Sequence, residues 1–454
     1  MNKAKHLNRR NFMKTSGAAG LGVTFLSSAV PVFGKNAPSN QLNVAVMGVH
    51  SRGKALLNEI LKLDGMHLSH ICDVDQQVLD KTLQGIEESG LQKKQPKGAS
   101  DFRKVLEDDD VDALVIAAPD HWHAPAALMA LQAGKHVYVE KPCGHNPREG
   151  ELLVEAQKRY GKVVQMGNQQ RSAPKSIEII QQIRDGIIGR PYYAKAWYAN
   201  GRGSIGEGKS APVPEHLDYE LWQGPAPRKP YQDNLIHYNW HWFWNWGTGE
   251  ALNNGTHEID VCRWALGVDY PIRVGSQGGR YHYDDDWEFY DTQIVNYDFD
   301  NETTITWEGR SCNPNPVKGR GRGSAIYGTE GSVILDRNGY EVYDMKNNLM
   351  KEGKAGDKAA SMDTRGGDSM TGTHIANFRD GVVDGATLNS PIEEGHKSVL
   401  LCHLANISQE MGRTLMIDPS SGRIKDDKEA IKMWSREYEP GWEPESDTLG
   451  MGNE

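Results

Sequence analysis

Residues 41–53 constrain the fold more than any other stretch. Gln41-Leu42-Asn43-Val44-Ala45-Val46-Met47-Gly48 reads as a strand that alternates and then runs apolar, as a buried parallel strand does. It ends in Gly48-Val49-His50-Ser51-Arg52-Gly53, and Lys54 to Leu63 then carries a helical pattern. Further strand patterns follow at His67–Asp73, Asp112–Pro119, His136–Val139 and Lys162–Gly167. Helical stretches separate them, among them Pro125 to Ala133, closed by Gly134, and Pro147 to Tyr160. Strands alternating with helices of about 10–15 residues fold as a doubly wound parallel sheet, here over residues 41–167.

Such a sheet binds ligands at the carboxyl ends of its strands, and the first turn says which ligand. The dinucleotide fingerprint G-x-G-x-x-G uses its glycines for the turn, for close approach to a pyrophosphate and for helix packing. Gly48 and Gly53 supply the first and third, whereas His50 stands at the second. A Cβ there keeps the phosphates slightly farther from the backbone, or the imidazole helps hold them. Ser51 and Arg52 lie in the same turn. Asp73 ends the second strand twenty residues after Gly53, where a carboxylate takes the two ribose hydroxyls. A carboxylate repels a 2′-phosphate, so the expected cofactor is NAD rather than NADP. Asp73 could instead cap the helix that follows.

At 454 residues the chain exceeds what one core ordinarily holds, so two domains are expected. From about Tyr192 the texture changes to turn-rich alternating strands, in residues 191–198, 292–297, 303–307, 325–335 and 340–343. That implies an open, mostly antiparallel sheet over residues 168–454, an α+β unit after the α/β one. One helix interrupts it, Glu258 to Leu266, ended by Gly267. Two late helical stretches, His374 to Val383 and Glu393 to Arg413 (residues 374–413), are placed to fold back on the first domain. Lys351 to Gly372 reads as a loop.

Composition narrows the partners. A net charge of −10 excludes nucleic acid or an anionic membrane as main partner. Cys72, Cys143, Cys262, Cys312 and Cys402 are widely spaced and show neither a zinc signature nor a disulfide framework. Residues 1–34 carry five Lys/Arg and no Asp/Glu, with the twin-arginine pattern Asn8-Arg9-Arg10-Asn11-Phe12 ahead of a mild apolar run. This is the pattern of a cleavable signal read by the twin-arginine export machinery, which places the folded protein in the periplasm and free of the membrane. Losing those five positive charges would take the net charge from −10 to −15.

The Val137-Tyr138-Val139 strand delivers Glu140-Lys141-Pro142 to the ligand-binding edge of the sheet. A strand end is a rigid place to present a lysine, although a surface turn gives the same sequence. Taken in order, Gly48…Gly53, Asp73, the Ala117-Ala118-Pro119 strand end, Glu140-Lys141-Pro142, Gly255-Thr256-His257-Glu258-Ile259-Asp260 and Tyr327-Gly328-Thr329-Glu330-Gly331 resemble the Gfo/Idh/MocA family of glucose–fructose oxidoreductase and inositol dehydrogenase. The resemblance spans nearly the whole chain after the signal. It implies a Rossmann domain, an open-sheet domain that self-associates through its exposed face, and a nicotinamide cofactor at their junction. Ala117, Pro119, His123 and Glu140 would then border the cofactor beside Lys141, with Asn168 close to it and Gln170 or Arg171 at the substrate. The implied substrates are sugars, sugar derivatives and cyclitols.

The resemblance places the reactive lysine and histidine at Lys141 and His257. An imidazole titrates near neutral pH and can take a hydroxyl proton, while a lysine can stabilise the developing alkoxide. A histidine at the start of a helix would also be less basic. Four residues earlier the family often has an aspartate, where this chain has Asn253; an amide can orient a hydroxyl but cannot take a proton. Asp260 lies one turn on, either orienting the imidazole or pairing with Arg263. His121-x-His123 has metal-like spacing with no third ligand, so no metal is expected. Trp240, Trp242, Trp244 and Trp246 would share one face of an extended strand, as core wall or as a stacking platform for pyranose rings, with Trp242 the chosen contact.

Three functions fit these residues. The first is NAD-dependent oxidoreduction at a secondary hydroxyl of a sugar, glycoside or cyclitol, with tightly bound cofactor. The second is NAD-dependent cleavage of a glycoside through transient ring oxidation and elimination. The third is carbohydrate binding without catalysis.

Overall fold

A computed structural model describes residues 41–356 and 369–444. The twin-arginine stretch and most of the Lys351 to Gly372 loop lie outside the described residues. The start of that loop is instead the tail of a strand, Leu349–Lys354.

Six parallel strands form the first sheet: β1 Leu42–Met47, β2 Met66–Cys72, β3 Lys97–Ala99, β4 Ala113–Ile116, β5 His136–Val139 and β6 Val164–Met166. Their order is β3-β2-β1-β4-β5-β6, which reverses beside β1 and so opens a crevice at the strand ends. Helices α1 Arg52–Ile60, α2 Gln76–Ser89, α3 Phe102–Leu106, α4 Asp120–Gln132 and α5 Pro147–Tyr160 cover the sheet. The central strands are apolar because both faces are covered; all four residues of β4 are buried.

Helix α6, Pro174–Arg184, leads to a nine-stranded sheet. Its strands are β7 Pro191–Ala199, β8 Arg273–Gly279, β9 Thr292–Asp298, β10 Thr304–Arg310, β11 Arg322–Gly328, β12 Gly331–Asp336, β13 Gly339–Asp344, β14 Leu349–Lys354 and β15 Leu415–Met416. The order is β14-β13-β12-β11-β7-β10-β9-β8-β15, antiparallel except where β7 runs parallel to β10. Between β7 and β8 lie α7, Tyr219–Gln223, and α8, Thr256–Leu266, which packs on β7 and β11. The last long helices are α9, Ser369–Val383, and α10, Ile392–Met411. Helix α9 rests on α1 of the first domain, and α10 lies against α5 and β8. Gln165 donates to the His374 carbonyl at 2.8 Å, tying the edge strand β6 to α9.

Two local expectations are corrected. Helix α8 does not begin at His257: a π-helical turn, Ala251–Gly255, runs directly into it, so His257 sits inside a continuous helical segment. Asn239–Trp242 is a 3-10 turn, not a strand, so its tryptophans diverge instead of sharing a face.

Candidate active site

A cavity of ≈ 400 Å³ opens where the carboxyl ends of the first sheet meet the segment between β7 and α8. Gly48, at φ +80°, makes the first turn; a Cβ there would lie 2.8 Å from the Ala117 carbonyl oxygen. A Cβ on Gly53 would lie 1.7 Å from the Gly48 oxygen, so the helix approaches the strand only because glycine is present. The start of α1 has no side-chain cap, so its first-turn N–H groups face the cavity unpaired by Ser51. Asp73 accepts from the Val49 and Asp75 N–H groups at 2.8 and 3.1 Å, which aims its carboxylate along the same edge. The cap of α2 is Asp75, not Asp73. Backbone cradle, helix start and acid together fit a dinucleotide.

His50, at the place of the second glycine, stacks on His237 of the second domain with ring centres 4.3 Å apart. His237 in turn contacts Asp75 at 2.9 Å. Arg52 does not reach into solvent either. Its guanidinium donates to Glu140 at 2.8 Å, and Glu140 also accepts from Gln169 at 2.9 Å. Burial alone would raise the Glu140 carboxyl, but Arg52 holds it below the usual range. The Glu140 carboxylate is thus the brace of the turn that carries Lys141.

The Lys141 ammonium donates to the Asn253 carbonyl oxygen at 2.6 Å and to its side-chain oxygen at 3.2 Å. His257 is 2% exposed, lines the cavity, and neither ring nitrogen has a hydrogen-bond partner. Burial lowers its basicity well below an ordinary histidine, with Arg337, Lys141 and Arg322 adding to the effect. The direction matches expectation, yet the cause is burial and neighbouring cations, not a helix start.

Gly48, His50, Ser51, Arg52, Asp73, Ala117, Pro119, His123, Glu140, Lys141, Asn253 and His257 therefore all border one cavity. Six expected residues do not: Gly53 lies behind the Gly48 turn, packed against its oxygen, and five others face elsewhere. Asp260 accepts from Arg171 at 2.8 Å and from Ser398 at 2.6 Å, touching neither His257 nor Arg263. A three-residue step leaves it about 60° around the helix from His257, and there the Gln169–Ser172 turn reaches it through Arg171. Arg171 is consumed by that ion pair, and Gln170 donates to the Asp336 carbonyl at 3.3 Å. Asn168 is buried outside the cavity; its neighbour Gln169 lines it instead. Trp242 stacks on Trp287 at 3.9 Å, in the core, while Trp240 and His241 reach the cavity.

Sequence reasoning missed Tyr198, Asn200 and Arg202 at the end of β7, and Asp120, Tyr238 and Asn254. Arg202 donates to Glu250 at 2.8 Å and to the hydroxyls of Tyr238 and Tyr198 at 2.7 and 3.3 Å. Its guanidinium also lies over the Trp242 ring at 4.9 Å. A Tyr and an Arg four residues apart at a strand end were the available signal. His121 and His123 spend their ring nitrogens on backbone carbonyls, and no group of three His, Cys, Asp or Glu among the described residues has metal-holding geometry.

Known proteins agree with this architecture. The model of the oxidoreductase family NAD-binding Rossmann fold matches residues 42–168, and that of the same family's C-terminal alpha/beta domain matches 191–347. A glycosyl hydrolase family 109 protein of Shewanella pealeana is 32% identical over 209 residues, 42% of this chain and 46% of that protein. An alpha-N-acetylgalactosaminidase of Shewanella oneidensis is 27% identical over 215 residues, with the same shares. The chain spans about half the length of the curated relatives it matches. Levoglucosan dehydrogenase, solved with NADH and levoglucosan, has a TM-score of 0.63 at 18% identity, covering 83% of this chain and 99% of that one. An aldose-aldose oxidoreductase from Caulobacter crescentus gives 0.62 at 16%, covering 83% and 100%. The two matched domains together take in most of the described residues, and the chain belongs to the Gfo/Idh/MocA oxidoreductase family, with an NAD-binding Rossmann domain at its start.

Proposed function

We propose that the protein oxidises a secondary hydroxyl of a sugar, glycoside or cyclitol, using NAD that stays bound between turnovers. The observation that carries this is Lys141 and a partnerless, buried His257 on the same cavity as the nucleotide cradle. Bound NAD supplies a hydride acceptor. Everything else is the work of side chains. A neutral His257 takes the hydroxyl proton, Lys141 steadies charge on the oxygen, and Asn253 fixes the lysine. Asn200, Arg202 and Tyr238 present donors and acceptors for ring hydroxyls, and Trp240 and His241 offer flat faces.

Retention of the cofactor rests on how the second domain closes over the nucleotide edge. The Gln76 N–H donates to the His216 carbonyl at 2.8 Å, and the Asp218 N–H to the Val74 carbonyl at 3.0 Å, next to Asp73. His237 covers His50. A resident cofactor suits the export signal expected from residues 1–34, because a redox-neutral cycle needs no external nicotinamide pool.

A second reading, redox-neutral glycoside cleavage, is favoured by the relatives named as family 109 glycosyl hydrolases. Incubation with aryl glycosides separates the two. Free aglycone without net NADH supports cleavage; NADH in proportion to protein, with the glycoside intact, supports oxidation alone. In either case Lys141→Ala should lower turnover by about 10²–10⁴-fold while the protein still releases nicotinamide nucleotide on denaturation. Turnover unchanged in both Lys141→Ala and His257→Ala would remove these residues from the chemistry, and no turnover of any sugar or glycoside by the wild type would leave only carbohydrate binding.

A further inference from the structure

The second domain reaches the nucleotide edge through His237, in the aromatic segment between α7 and α8. The residue lines the cavity, and its ring lies on that of His50 at an interplanar angle of 14°. Its Nε2 lies 2.9 Å from an Asp75 carboxylate oxygen, and His216 approaches the same oxygen at 3.5 Å. The other Asp75 oxygen accepts from the Gln77 and Val78 N–H groups as the cap of α2. Asp75 is buried, so an imidazole from the second domain closes on a carboxylate fixed in the first.

That carboxylate decides what His237 can offer. It accepts hydrogen bonds and donates none, so the Nε2 of His237 carries a proton. The Nδ1 of a neutral ring is then an acceptor, and becomes a donor only in the imidazolium. Among the described residues nothing bonds to that Nδ1. His50 stands where the pyrophosphate-binding fingerprint has its second glycine, so the stacked pair borders the place of a diphosphate. Diphosphate oxygens accept and do not donate; a neutral His237 would oppose them with a lone pair, a protonated one with an N–H. Two cations with ring centres 4.3 Å apart repel, so the pair holds one proton at low cost and not two. The charged and titratable groups facing the pair are Asp75 and Lys81 of α2 and its cap, Asp73 at the end of β2, Lys54 of α1, and His216. Partial burial and the His237 ring lower the His50 imidazole, which leaves the proton to His237.

We propose that His237 is the second domain's contact to the NAD diphosphate, and that it takes a proton from solvent as the nucleotide binds. The imidazolium then answers two anions, Asp75 and the diphosphate, and ties the second domain down over the cofactor. This rests on NAD binding and on no particular substrate. The midpoint of His237 is raised in the nucleotide-bound protein, to about 7.5–8 from an ordinary ~6.5. The tie is therefore whole below about pH 6.5 and is lost as pH rises through the bound midpoint.

The test follows labelled NAD leaving the full-length protein into an excess of unlabelled NAD. Release from the wild type should speed up by roughly 10- to 30-fold from pH 6 to pH 9, as a midpoint raised by about 1–1.5 units requires. His237→Gln, which keeps an amide donor for Asp75 and cannot titrate, should release quickly throughout with little slope. His50→Gly, which supplies the fingerprint glycine, should keep the slope. With 13Cε1-labelled histidine, the His237 signal of the NAD-loaded protein should titrate about one pH unit or more above its midpoint in protein emptied of nucleotide. That signal is identified by its loss in His237→Gln or in His237→Asn. A flat release rate in the wild type, or a slope that survives His237→Gln and vanishes in His50→Gly, overturns the assignment. A His237 midpoint unmoved by nucleotide overturns the proton uptake. Neither measurement involves a sugar, so failure here leaves the oxidoreductase reading to be decided by the glycoside assay.

Discussion

The two walls of the cavity are built on opposite principles. The nucleotide-side wall is backbone: the Gly48 turn, the start of α1 and the end of β4 meet at distances that leave no room for a side-chain carbon. The wall from the second domain is side chain: Arg202 gathers Glu250, Tyr198 and Tyr238 in one fork and rests on Trp242. A backbone wall has no rotamers with which to adjust, so it should fail by collision and all at once. A side-chain wall should fail by degrees. The first suits a cofactor that every turnover shares, and the second suits a substrate that selection can exchange.

The sharpest way to break this contrast is Gly53→Ala. Its Cβ would stand 1.7 Å from the Gly48 oxygen, so strand and helix must part and the cradle is lost. Purified Gly53→Ala should release no nicotinamide nucleotide on denaturation, or fail to accumulate as soluble protein. Gly85→Ala, on an open face of α2 with no atom within 4 Å of the new Cβ, should keep full nucleotide content. A cofactor-loaded Gly53→Ala would show that the wall can yield.

Arg202→Lys tests the other wall and should do less. One ammonium cannot hold Glu250 and two tyrosine hydroxyls in a fixed plane, whereas a guanidinium can. Losing about 1.5–3 kcal/mol of charge-assisted bonding should raise KM for the sugar by roughly 10- to 150-fold. Nucleotide content should not change. Loss of nucleotide in Arg202→Lys would mean the walls are not separable.

The same contrast explains what was legible in the sequence. Gly48, Gly53, Asp73 and Lys141 announce themselves because backbone geometry ties them to fixed spacings along single strands and turns. Alternation and runs of apolar residues likewise announce one parallel and one mostly antiparallel sheet, but the strand orders came only from the structure. Tyr238 and Asp120 gave no such signal, and Arg202 only the weak one of Tyr198 four residues before it, since their roles come from segments brought together by the fold, 36 to 128 residues apart. The errors are of the same origin. Asp260 was one helical turn from His257, but its carboxylate is held by Arg171 and Ser398, which come from other segments. The four tryptophans suit a strand by propensity, yet stacking Trp242 on Trp287 and Trp240 on His241 favours a tight turn that sends them to different cores.

Behind both walls the joint is made of neutral histidines, and it supplies the mildest test. His121 lies 2.9 and 3.3 Å from the carbonyl oxygens of Trp222 and Trp246, tying α4 to the aromatic segment; His403 lies 3.1 Å from that of Gly144, just beyond the lysine turn. Burial lowers both to about 3. An unfolded histidine titrates near ~6.5, so between those values the unfolded chain binds more protons than the folded one. Their contribution is whole above about pH 6.5 and is lost as pH falls toward 3, each histidine adding a slope of at most about 1.4 kcal/mol per pH unit. His403→Gln keeps an amide donor near the Gly144 carbonyl but cannot titrate. Its urea-unfolding free energy should fall less steeply between pH 6 and pH 4 than that of the wild type, by about one proton's slope. Because the joint serves both walls, nucleotide release and unfolding should follow one acid transition. Nucleotide leaving a pH unit before unfolding would mean that the backbone wall opens alone, and that the two walls are held by separate ties.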